Sequence, residues 1–191
     1  IDVATGHDPK SGNSLAAIAR GENQVIRKDG NRGSLSKAKQ ESIKRVAGNI
    51  GVSPNDLAAV ISFETGGTFS PSATNPNSSA TGLIQFMRGT DGHKGYYGMD
   101  RNTFKSLSFD EQMHYVEKYF KARGFNKNRQ RDVADLYTAV TGFGYKKGSK
   151  AYALNKVWDS NRDGYIGKGE MVRNAAFRAH QRDYFGETPV I

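Results

Sequence analysis

The 191-residue sequence contains no cysteine. That excludes a disulfide scaffold, a thiolate metal site and a cysteine nucleophile, and it leaves the compartment open. Long hydrophobic runs are also missing. Apolar stretches reach only a few residues against the roughly 20 needed to span a bilayer, so no transmembrane segment is predicted. No alternating apolar and polar run is long enough to predict a strand, and there is no internal repeat. The chain begins at Ile1 with no basic-then-apolar leader, which predicts a processed product or an excised piece. Acidic residues are in the minority, 19 Asp and Glu against 28 Lys and Arg, for a net charge of +9.

That excess predicts an acidic partner, because long-range fields attract opposite charge. It is concentrated between Lys118 and Lys150, where nine basic residues face Asp132 and Asp135. Charge alone leaves nucleic acid, an anionic membrane, an anionic wall polymer and a merely solvated surface all open. The length suits one compact domain or a domain plus a tail.

Residues 1–35 are rich in Gly, Asn, Ser, Asp and Lys and read as a flexible arm or linker, followed by a mainly helical domain over 36–191. Ile43, Val46, Ala47 and Ile50 recur at helical spacing before Gly51. Ser53 and Pro54 mark the cap and first position of the next helix, whose stripe is Leu57, Val60 and Ile61 before Gly66 and Gly67. A polar loop covers 65–80, a short helix is expected over 82–87, and a second loop covers 89–100. Ser108 and Glu111 form a capping box for a helix bearing Met113, Val116 and Phe120. Val133, Leu136, Tyr137 and Val140 predict another, and segments 149–158 and 170–182 complete a mainly α fold.

One residue breaks the logic of its own helix. At about 100° per residue, Glu64 lies within the arc of Leu57, Val60 and Ile61 and so faces the core. It also sits at the helix C-terminal end, where the macrodipole disfavours negative charge. Both effects raise a carboxyl pKa, as a general acid near neutral pH requires. The competing reading is that the last turn frays and Glu64 faces water.

From Glu64 the sequence runs Glu-Thr-Gly-Gly-Thr-Phe-Ser-Pro-Ser-Ala, then Asn75, then Ala80-Thr-Gly-Leu-Ile-Gln85-Phe. This resembles the signature of soluble lytic transglycosylases and goose-type lysozymes. Gln112, Tyr115, Val116 and Tyr119-Phe120 look like a later helix of phage-type members. Leu136-Tyr137-Thr138-Ala139 stands where the family has Ala-Tyr-Asn-Ala-Gly, with Thr138 and Val140 departing from Asn and Gly. The resemblance spans roughly 43–143. It implies a lysozyme-like fold, Glu64 as the catalytic acid and then base, Asn75, Gln85 and Tyr137 as substrate contacts, and Tyr137 close to the acid. Each of these three also has a bland alternative, Tyr137 as core and Asn75 and Gln85 as turn residues.

Glycosidases ordinarily employ two carboxyl groups. Between Thr65 and Gly89 there is no Asp or Glu, and Asp91 and Asp100 are the first downstream. A lone acid is what the lytic transglycosylases resemble: it protonates the glycosidic oxygen, the sugar's N-acetyl group stabilises the charge, and the acid then deprotonates the sugar's own hydroxymethyl group. The expected product is a 1,6-anhydro-muramic end. A goose-type muramidase would cut the same bond with water, and a non-catalytic, calcium-stabilised wall-binding virion component would keep the fold without turnover.

Asp159-Ser-Asn161-Arg-Asp163-Gly-Tyr165-Ile-Gly-Lys-Gly-Glu170 reads as a complete EF-hand calcium (Ca2+) loop. Oxygen ligands fall at Asp159, Asn161 and Asp163, Gly164 supplies the turn, Tyr165 offers its backbone carbonyl, and Glu170 is the bidentate ligand. Gly167 has no side chain, so a water is expected at that place. A single loop of this kind predicts a clamp that stabilises the folded state.

The combined expectation is a peptidoglycan-cleaving enzyme acting at the bacterial cell wall or periplasm, virion-associated or secreted. Its partners would be glycan strands and a larger phage tail or injection protein of which this is the cutting module. Nucleic acid is not expected, since the basic stretch carries no reading motif.

Overall fold

In the computed structural model, which describes residues 35–141 and 145–185, the first helix begins where Ser36 accepts a hydrogen bond from the Lys39 N–H. The arm assigned to 1–35 lies outside the described residues except for Leu35, which is buried. Helix α1 (Lys37–Ile50) buries Ile43, Val46, Ala47 and Ile50, the predicted stripe, and stops at Gly51 in the left-handed region, φ 75°.

Gly51 is required there twice over. Its φ suits a residue without a Cβ, and an added Cβ would lie 2.2 Å from the Asn126 carbonyl oxygen and 2.5 Å from that of Arg129. The segment carrying those carbonyls crosses the end of α1, and Arg131 N–H donates to the Gly51 carbonyl at 2.8 Å. Gly51→Ala is therefore expected to destabilise the fold by about 2–4 kcal/mol. The urea midpoint measures this, and an unchanged midpoint would disprove the close approach.

Helix α2 (Pro54–Glu64) starts at Ser53 and Pro54 as expected, although the Ser53 side chain makes no capping bond. It is more central than its stripe implied, because every residue from Leu57 to Glu64 is buried. A helix apolar on nearly all sides belongs in a core. Helix α3 (Arg101–Lys105), which the sequence pattern did not reveal, is capped by Asp100. Helix α4 (Phe109–Ala122) has the predicted capping box of Ser108 and Glu111. Ser42 and Arg45 bond Asp110, each at 2.7 Å, and Asn49 bonds Glu117 at 2.7 Å. This register makes α1 and α4 run in the same direction. Helix α5 (Val133–Thr141) buries Leu136, Tyr137 and Val140 and packs on α2.

The C-terminal part is short-segmented. Strand β1 (Tyr145–Lys146) precedes α6 (Lys150–Asn155), which runs into a 3-10 turn at Lys156–Trp158. Strand β2 (Tyr165–Ile166) pairs antiparallel with β1 and is followed by α7 (Lys168–Arg173) and α8 (Ala175–Arg178). The molecule is mainly helical, and no helix among the described residues is long and apolar enough to cross a membrane.

Two expected helices are corrected. Residues 82–87 form turns closed by mutual backbone bonds between Thr81 and Phe86, because Gly82 and Gln85 take φ of 87° and 56°, outside the helical region. Their apolar side chains follow the core rather than a helical face. The single helix expected over 170–182 is broken at Asn174 (ψ 135°), whose side chain caps the next helix through the Ala176 N–H.

Candidate functional site

Glu64 does not fray into water. It is 3% exposed, and the chain beyond it is tied down: Thr65 N–H and Oγ1 both donate to the Ile61 carbonyl, and Phe69 N–H donates to Thr65 Oγ1. Gly67 N–H returns to the Ser62 carbonyl at 2.7 Å. The left-handed conformations of Gly66 and Gly67 make that return feasible. A carboxyl group is thus held inside the protein at a helix C-terminal end.

Tyr137, from α5, is fully buried, and its ring meets that of Phe63, the neighbour of Glu64, at 5.4 Å. Burial first, and the Glu64 charge second, push the Tyr137 hydroxyl well above the usual tyrosine range, so it stays protonated and able to donate. The hydroxyl has no hydrogen-bond partner among the described residues.

Asn75 and Gln85 lie together in the loop that follows Glu64. Asn75 N–H donates to the Ala80 carbonyl at 3.1 Å, and its Oδ1 accepts from the Asn77 N–H. Gln85 Nε2 donates to the Ala73 and Gly82 carbonyls at 3.1 and 2.9 Å. What is left over is a buried donor, Asn75 Nδ2, and a buried acceptor, Gln85 Oε1, both unpartnered among the described residues. Leaving such groups unsatisfied costs about 1–3 kcal/mol each, a cost that sites bear more often than cores. All three substrate contacts inferred from the resemblance therefore carry a buried polar atom with unused bonding capacity.

Two residues shape this loop. Arg101 donates to Thr81 Oγ1 (2.9 Å), the Ala80 carbonyl (2.9 Å) and the Asn75 carbonyl (3.0 Å). Gln112, wholly buried on α4, accepts from the Leu83 N–H at 2.7 Å and donates to the Pro71 and Phe104 carbonyls. Arg101 gave no signal in the sequence, since its partners are backbone atoms remote along the chain. The two nearest downstream acids are engaged elsewhere: Asp91 pairs with His93 at 2.8 Å, and Asp100 caps α3. Among the described residues the buried carboxylates are Glu64, Asp159 and Glu170.

The last two belong to the second cluster. Asp159, Asp163 and Glu170 present carboxylate oxygens that all lie within 4.8 Å of one another, Asp159 and Glu170 buried and Asp163 exposed. The loop folds around its own acids. Asp159 accepts from the N–H groups of Asp163 and Gly164 and from the Tyr152 hydroxyl, the last at 2.6 Å. Glu170 accepts from the N–H groups of Ser160, Asn161 and Gly167. The Tyr152 hydroxyl, aided by backbone N–H groups and opposed by burial, holds the Asp159 carboxyl below the usual range. Gly164 makes the sharp turn at φ 85°.

Asn161 reaches Asp163 Oδ2 with its amide at 2.9 Å, and Tyr165 donates its N–H to Asp163 Oδ1 while its ring is exposed. The three clustered carboxylates could hold a metal ion, and oxygen ligands of this kind suit a hard divalent cation. The loop is also docked. Ile166 is buried, Lys147 N–H donates to the Gly164 carbonyl at 2.6 Å, and Lys168 pairs with Asp135 of α5 at 2.7 Å. Compared with protein-family models, with curated proteins and with solved structures, the chain matches none.

Proposed function

We propose that the protein is a peptidoglycan lytic transglycosylase of lysozyme-like fold, cleaving the β-1,4 bond between N-acetylmuramic acid and N-acetylglucosamine. The observation that carries this reading is the buried carboxyl of Glu64, held at the tied-down end of α2 beside Tyr137, with the next acids along the chain committed elsewhere. The resemblance of the segment around it to the transglycosylase signature names the chemistry.

In the proposed reaction, protonated Glu64 gives its proton to the glycosidic oxygen as the bond to the muramic C1 breaks. The departing sugar leaves as an alcohol. The acetamido oxygen of the muramic residue bonds to C1 and takes up the positive charge. Glu64, now a carboxylate, removes the proton from the C6 hydroxyl of the same sugar, and O6 displaces the acetamido oxygen to close the 1,6-anhydro ring. Water is not consumed. Asn75 Nδ2, Gln85 Oε1 and the Tyr137 hydroxyl would meet the polar groups of the sugar, which gives their unused bonding capacity a purpose.

The loop at 159–170 is proposed to hold calcium through Asp159, Asn161, Asp163, the Tyr165 carbonyl and Glu170, in an EF-hand-like helix-loop-helix. Calcium would stabilise the C-terminal segments against α5 and take no part in bond cleavage. The exposed Lys118, Lys121, Lys127, Arg129, Lys146, Lys147 and Lys150 would favour an anionic wall. We place its action at the bacterial cell wall, as a virion-associated or secreted module of a larger tail or injection protein.

Mass spectrometry of digested murein tests the reaction. Anhydro ends, one water lighter than reducing ends, are expected. Reducing ends would show hydrolysis of the same bond instead, and undigested murein would leave a wall-binding component.

A further inference from the structure

We propose that Trp158 is a positioning residue, through which an occupied metal loop holds the Tyr137 ring against Glu64, so that calcium and glycan bind cooperatively. The proposal rests on the reading of the two sites above. It starts from what holds Tyr137. Because its hydroxyl has no hydrogen-bond partner among the described residues, the place of that hydroxyl is set by ring packing. Three aromatic side chains do the packing: Phe63 at 5.4 Å, Phe177 at 4.6 Å and Trp158 at 6.4 Å between ring centres. Phe63 adjoins the acid. The other two bracket the metal loop, Trp158 directly before Asp159 and Phe177 on α8 beyond Glu170. Both also pack edge-on against Phe63, at 6.1 and 5.4 Å.

The loop can move this cluster because Trp158 directly precedes Asp159, so the chain itself joins the ring to the loop. Its indole N–H is buried and unpartnered among the described residues. The ring can therefore shift without breaking a hydrogen bond. Its backbone is coupled directly to the first ligand, since Asp159 N–H closes the 3-10 turn on the Lys156 carbonyl at 3.0 Å. Three carboxylates with oxygens within 4.8 Å of one another repel unless a cation lies among them. Without the cation, Asp159 relaxes outward and carries Trp158 with it. Tyr137 then loses one wall of its packing, and its hydroxyl leaves the position from which it meets the sugar.

Such coupling is reciprocal: the factor by which calcium tightens glycan binding equals the factor by which glycan tightens calcium. The test uses the full chain with Glu64→Gln, so that glycan is bound and not consumed. A tetrasaccharide of alternating N-acetylglucosamine and N-acetylmuramic acid is titrated with calcium present and with chelator. Calcium is then titrated with and without the tetrasaccharide.

Calcium is expected to tighten the tetrasaccharide about fivefold or more, with the same factor in reverse. Because Trp158 is the sole tryptophan, calcium is also expected to change the emission of the protein. Trp158→Leu in the same background should still bind each ligand, with the coupling factor reduced to about one. Trp158→Phe, which keeps a ring, should restore part of it. Equal tetrasaccharide affinities with and without calcium, or full coupling in Trp158→Leu, would overturn the proposal. So would emission that calcium leaves unchanged, whether or not the sugar binds. A tetrasaccharide that binds under no condition, while calcium does change the emission, strikes at the proposed function instead.

Discussion

Replacing Glu64 by Gln is expected to lower the turnover of murein by about 10³-fold or more. General acid catalysis alone contributes about 10²–10⁴-fold, and in the proposed cycle the same carboxyl serves first as acid and then as base. The amide can do neither. It has the same shape, so the packing around a residue 3% exposed is kept. The variant should also melt no lower than the wild type, because a buried carboxyl at a helix C-terminal end opposes both the apolar surroundings and the macrodipole. Clearing of a murein suspension measures the first quantity and thermal melting by circular dichroism the second. Full turnover in the variant would end the catalytic assignment.

Removing calcium is expected to have the largest effect on stability. At about a hundred times its dissociation constant, a ligand that binds only the folded state adds about 2.7 kcal/mol. For a domain of this size that corresponds to about 5–10 °C in Tm. The loss should be large because the loop joins separate parts of the chain: β2 pairs with β1, and Lys168 reaches Asp135 of α5. Glu170→Gln should reproduce the lowered Tm in the presence of calcium and make it insensitive to chelator. Melting curves in calcium and in chelator decide the matter, and coincident curves would mean that the loop holds no stabilising cation.

Much of the fold was legible in residue order because its determinants are local. Gly51, Pro54 and the Ser108–Glu111 box are start and stop signals that act within one turn, and the structure has helices there. The conflict between Glu64 and its own stripe was legible for the same reason. Where local rules met a tertiary demand, they failed. The apolar run at 82–87 looked helical by composition, but Gly82 must let Gln112 approach, since a Cβ there would lie 2.3 Å from Gln112 Oε1. The break at Asn174 was hidden in an otherwise helical pattern, because Asn caps a helix as readily as it sits within a polar face.

The sequence by itself determined the ingredients: a mainly helical, cysteine-free, basic chain with one acid on an apolar face, and a spacing of oxygen ligands suited to a cation. These follow from periodicity and short-range spacing, which need no knowledge of distant contacts. Only the tertiary structure decided that Glu64 is sealed rather than frayed, and that Arg101 and Gln112 hold the loop of Asn75 and Gln85. It also decided that the strand within the 159–170 loop finds its partner in β1, and that Trp158 and Phe177, on either side of that loop, pack against Tyr137. The reason is physical: burial, carbonyl approach and ring packing depend on residues far apart in the chain, and no local pattern encodes which of them will meet.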